Sequence, residues 1–139
     1  MSSEQPTQVI GTGYLATLQG VCKIVEVVAS FIAVLLVGIN TWGTVFDVFE
    51  SAAALSIIIS AILLILYTSK AVEKLQLPWN RIQFFYHVIL SIYYIIAIAL
   101  VLDKFYVVSR IIGGGVLGIL AVIAHLLDGY DNYRKHPLC

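Results

Sequence analysis

The chain has 139 residues, of which 60% are hydrophobic and 12% charged, and its mean hydropathy is +0.97. A typical soluble domain is about 25% charged, so this composition excludes an ordinary soluble protein. Eight Lys and Arg balance eight Asp and Glu, which leaves no basic excess for nucleic-acid phosphates and argues against DNA or RNA binding.

The amino-terminal stretch MSSEQPTQVIGTGY has no basic segment leading into a short apolar run, so the first apolar block is expected to stay in the protein as a span. Four such blocks follow in order. They cover about residues 20–39, 51–69, 82–102 and 111–127, each near the 17 to 25 helical residues that a hydrocarbon core of about 30 Å requires. The first is interrupted by Lys23 and Glu26, the second carries no charge, and the third and fourth carry only His87 and His125. The stretches between them are too short for an independent domain. The expected fold is therefore all-α: a single four-helix membrane bundle over residues 1–139, with short loops and short tails.

Orientation follows from Lys and Arg near the span ends, because positive flanks stay cytoplasmic. Lys23, Lys70, Lys74, Arg81, Arg134 and Lys135 fall on one side, and Lys104 and Arg110 on the other. Six against two predicts that both termini are cytoplasmic.

An ionisable residue inside a span costs about 2.5–3.5 kcal/mol at the centre on insertion scales, so each one asks for a partner or a function. Glu26 shares a helix face with Gln19, Ser30 and Ala33, a small and polar stripe that should face protein. The leading reading is local: Lys23, three residues earlier, pairs with Glu26 while reaching toward the headgroups. The alternative is a cluster in the cytoplasmic leaflet, since His87 begins the third span and His125 ends the fourth at similar depth. In the fourth span Arg110, Gly114, Gly118, Ala121, His125 and Asp128 recur at helical spacing, which defines one polar seam of Lys23, Glu26, His87, His125 and Asp128.

The GxxxG pattern at Gly114 and Gly118 permits close backbone approach, expected here against the first helix within one chain in preference to a second copy. Ser56 and Ser60 form a similar small stripe on the second span. Trp79, together with Trp42 and Phe46 or Phe49, is expected to anchor the two interfaces. Cys22, at the cytoplasmic boundary, is a candidate for S-palmitoylation or else a buried thiol. With two cysteines and three scattered histidines lacking HExxH or similar spacing, no catalytic group, cofactor or metal site is expected.

Taken together, four features resemble the MARVEL family of tetraspans, which includes the myelin and lymphocyte protein, plasmolipin and the chemokine-like factor group. They are LQGVCKIVEVVASFIAVLLV with its basic residue and Glu26, the aromatic-rich PWNRIQFFYHVILSIYYIIAIALVL, the glycine-rich RIIGGGVLGILAVIAHLLDGYDNYRK, and short loops with cytoplasmic termini. The resemblance covers about residues 12–135. It implies a non-enzymatic organiser or scaffold in vesicle trafficking, membrane apposition or fusion, at the plasma membrane or on vesicles. Expected partners are membrane lipids, notably cholesterol-rich ordered domains, and another membrane protein or further copies of the chain. The alternative from another class is a small oligomeric channel or proton-coupled transporter using Glu26, His87 and His125; the absence of inverted repeats and broken spans counts against it.

Overall fold

A computed structural model of the chain describes residues 10–38, 43–105 and 108–135. A short 3₁₀ turn, Thr12–Ala16, precedes α1 (Leu18–Gly38); α2 (Thr44–Thr68), the one-turn α3 (Ala71–Lys74), α4 (Trp79–Phe105) and α5 (Ser109–Lys135) follow. No strand occurs among the described residues. The four long helices are each long and apolar enough to cross a membrane. α1 packs against α2 and α5, and α4 packs against the same two helices. The result is a closed ring of four helices, with the first and last described residues at the same end.

The helices overrun the apolar blocks, and the reason is what their extra turns bury. α2 starts at Thr44, inside the stretch expected to be loop, because Phe46 and Phe49 turn inward and are buried. α5 runs on to Lys135 because Asp128, Gly129, Asp131 and Asn132 continue the buried face while Tyr130, Tyr133 and Arg134 face out. Phe46 and Phe49 are thus core residues and not interfacial anchors, Phe49 meeting the Tyr94 ring edge-on at 5.8 Å. Trp42 lies outside the described residues. Trp79 is half-buried, and its indole N–H donates to the carbonyls of Val72 and Leu75 at 3.2 and 3.0 Å, capping α3.

The interior is layered. At the end away from the termini, Ala33, Val37, Phe49, Ala53, Val101 and Ile111 form an apolar core. At the terminal end, on the α2 side, Tyr14, Leu63, Tyr67 and Val72 form a second, smaller one. Tyr14 stacks on Tyr67 with ring centroids 4.7 Å apart, and the 3₁₀ turn is held by Gly11 N–H donating to the Tyr67 carbonyl at 2.8 Å. Burial and the nearby Asp128 carboxylate push the Tyr14 phenol above its ordinary pKa. Between the two cores, and reaching to the terminal end beside α5, lies a layer of buried polar side chains.

Candidate functional site: a buried polar cluster

Each helix delivers its polar groups on its inward stripe. α1 buries Gln19, Lys23, Glu26 and Ser30, at intervals of three or four residues; α4 buries Gln83, His87, Ser91 and Tyr94 in the same way. α2 contributes Ser56 and Ser60, and α5 contributes His125, Asp128 and Asp131. Such spacing keeps one face of a helix polar while the rest stays aliphatic.

The structure brings Lys23, Glu26, His87, His125 and Asp128 together, with a connectivity that differs from the local pairing expected in α1. Lys23 Nζ reaches across to Asp128 Oδ2 at 2.5 Å, with both side chains wholly buried, and donates a second bond to Gln83 Oε1 at 3.0 Å. Gln83 Nε2 in turn donates to the Tyr67 hydroxyl. Lys23 therefore does not reach for headgroups, and its charge is answered inside the bundle. The desolvation cost of such a pair is large, and removing one partner would leave the other charge buried and unanswered.

Glu26 is held differently. Ser60 Oγ donates to Glu26 Oε2 at 2.5 Å and lies 3.0 Å from the Tyr86 hydroxyl. The other oxygen, Oε1, has no hydrogen-bond partner; it faces His125 Nδ1 at 3.2 Å and His87 Nδ1 at 3.8 Å. The two Nδ1 atoms lie 3.0 Å from each other. On their far sides, His125 Nε2 is 2.7 Å from Ser56 Oγ and His87 Nε2 is 3.2 Å from Asp128 Oδ2. Ser56 also accepts from Ser30 at 3.2 Å, and Ser30 from the Tyr94 hydroxyl at 3.2 Å. Ser56 and Ser60 therefore work as hydrogen-bonding groups more than as a small-residue stripe.

Glu26, His87 and His125 form a group able to hold a metal ion, their ligand atoms lying within 4.8 Å of one another. From the sequence no metal site is expected, because the two histidines are 38 residues apart and no local spacing marks them. Gln83 and Tyr67 were also missed. The available signal was the recurrence of Gln83, His87, Ser91 and Tyr94 on one face of an aromatic-rich helix.

The glycines serve two neighbours. A Cβ at Gly114 would lie 2.3 Å from Val37 Cγ2 and 3.3 Å from the Ala33 carbonyl oxygen of α1, whereas one at Gly118 would meet Ile98 and Tyr94 of α4. The GxxxG face is thus used within the chain, split between α1 and α4. Cys22 is buried, with 4% exposure, which sets its thiol inside the bundle and away from an acylating surface. At the terminal end Gln19 Nε2 donates to Asp131 Oδ2 at 3.5 Å, and Asn132 Nδ2 donates to the Asn80 carbonyl at 2.6 Å.

Over 128 residues, 91% of its length, the chain is 28% identical to proteolipid protein 2 of Mus musculus and covers 79% of that protein; proteolipid protein 2 of Rattus norvegicus matches with the same identity and extent. No family model and no solved structure matches the chain. The chain is therefore similar to proteolipid protein 2 over most of its length. With four spanning helices, it is an integral multi-pass membrane protein.

Proposed function

We propose that this MARVEL-type tetraspan is a non-enzymatic membrane organiser, gathering ordered lipids or a partner membrane protein during vesicle trafficking, membrane apposition or fusion. The observation that carries this reading is the division between inside and outside. The polar cluster is turned inward, while the outer face is a belt of large aliphatic and aromatic side chains, among them Phe31, Ile58, Ile65, Ile89, Ile92 and Val116, each more than half exposed. Such a surface responds to the thickness and order of the surrounding bilayer. The similarity to proteolipid protein 2 is consistent with a membrane role of this kind, exercised at the plasma membrane or on vesicles with both termini in the cytoplasm.

A proton-coupled transporter is the second reading, favoured by the contiguous ionisable groups Lys23, Asp128, His87, His125 and Glu26. Against it stands the apolar layer. The network reaches only as far as Ser30 and Tyr94, and the seven-residue step from Ser30 to Val37 spans about 10 Å of helix lined by the buried apolar side chains of Ala33, Phe49 and Val101.

The test is reconstitution in giant vesicles separated into ordered and disordered phases. Enrichment of the labelled chain in the ordered phase is expected. Exclusion from it, together with proton flux that Glu26→Gln abolishes, would replace the organiser with the transporter.

A further inference from the structure

We propose that Glu26, His87 and His125 bind one divalent transition-metal cation of the zinc class, clamping α1, α4 and α5 together inside the membrane. Three atoms converge: Glu26 Oε1, His87 Nδ1 and His125 Nδ1, separated by 3.0, 3.2 and 3.8 Å. Bonds of about 2.0–2.2 Å to a tetrahedral ion place its ligands roughly 3.3 Å apart, close to these separations. All three side chains are buried, and Glu26 Oε1 has no hydrogen-bond partner.

The groups behind the ligands orient them for a cation. The Ser56 oxygen stands 2.7 Å from His125 Nε2, and the Asp128 carboxylate stands 3.2 Å from His87 Nε2. Ser56 is within hydrogen-bond distance of His125 Nε2, whereas His87 Nε2 has the Asp128 carboxylate beside it without a hydrogen bond. The two Nδ1 atoms share one hydrogen bond, and a cation that takes the place of its proton is bound by both Nδ1 lone pairs and by the carboxylate oxygen. Carboxylate and hydroxyl groups behind histidine ligands are the usual means of fixing ring tautomer and orientation at metal sites. Ser60 performs the same service for Glu26, holding Oε2 at 2.5 Å so that Oε1 stays aimed inward.

Charge gives a second, independent reason. Lys23 is taken by Asp128, so no lysine or arginine is shown against the Glu26 carboxyl, which faces the Ser60 hydroxyl and the two imidazoles. A bound cation supplies the positive charge that a buried carboxylate needs. Two imidazoles and one carboxylate suit zinc-class ions better than calcium or magnesium, which prefer all-oxygen shells. A groove of about 240 Å³ between α4 and α5, lined by Phe84, Val88, Leu126, Gly129 and Tyr133, borders both histidines.

The experiment uses the full chain carrying His136→Ala and Cys139→Ala, so that the tail offers no ligands, with a histidine-free tag and reconstitution in lipid discs. Titration with Co(II) should give one equivalent of the visible absorption of a tetrahedral ion, displaced by Zn(II). X-ray absorption at the zinc edge should read two imidazoles and oxygen. Glu26→Gln and His87→Gln should each weaken binding by about tenfold or more, and zinc should raise the melting temperature of the parent and not of Glu26→Gln. No saturable binding by the parent, sulfur in the zinc shell, or full affinity in both variants would overturn the proposal; the first result would mean that protons alone fill the site. The parent measurements decide the matter even where a variant fails to fold.

Discussion

Lys23 and Asp128, 105 residues apart in the chain, meet at 2.5 Å in the wholly buried interior of the bundle. This contact joins the first spanning helix to the last. Removing either partner strands a buried charge, which costs about 3–5 kcal/mol, whereas replacing both with apolar groups of similar volume is often neutral or stabilising. Lys23→Met and Asp128→Leu should each lower the thermal midpoint and the surface level of the protein, and the double variant should recover most of the loss. Additive losses in the double variant would show that the two residues are not coupled.

Gly114 lies where α5 packs directly on α1. An added methyl group would stand 2.3 Å from Val37 Cγ2 and 3.3 Å from a main-chain oxygen, so Gly114→Ala should destabilise by about 1–3 kcal/mol, the usual range for overpacking. Trimming the neighbour with Val37→Ala should restore part of it. Unfolding followed in mixed micelles measures both. A Gly114→Ala protein as stable as the parent would mean that the two helices are held less tightly than described.

The burial of Lys23 changes the topology argument without reversing it. With that lysine enclosed, the flanking residues are Lys70, Lys74, Arg81, Arg134 and Lys135 on one side and Lys104 and Arg110 on the other. Five against two still predicts cytoplasmic termini. Epitope tags at the two ends should be silent on intact cells and label together after permeabilisation; labelling of either on intact cells would invert the assignment.

The apolar layer around Ala33, Val37, Phe49 and Val101 leads to a prediction about conduction. Vesicles containing the reconstituted chain should hold an imposed proton gradient as long as empty vesicles do. Phe49→Ala, which opens space in that layer, should cost about 3–5 kcal/mol in stability. Dissipation of the gradient by the parent chain would count directly against the organiser.

The four spans were legible because long apolar blocks in a bilayer have only one local solution, the helix. Glu26 and Asp128 were legible as residues needing partners, since intramembrane charge is rare and costly. Their partners were not. A one-helix view favoured Lys23 with Glu26, three residues apart, because it counts only local distances; the tertiary fold offers Lys23 the Asp128 carboxylate and offers Glu26 the Ser60 hydroxyl and two imidazoles. Aromatic residues near a span end are usually interfacial, which is why the sequence points to Phe46 or Phe49 as an anchor, and only the position of α2 in the ring shows that both point inward. Gln83 was passed over because a single amide in an aromatic helix carries little signal without the lysine that it binds.

Mass spectrometry of the chain captured from native membranes in lipid discs, without detergent, tests the organiser reading most directly. The account predicts either a lipid annulus enriched in sterol and saturated chains relative to the surrounding membrane, or a second membrane protein at fixed stoichiometry. A chain surrounded by lipids of bulk composition and accompanied by no other protein would contradict it.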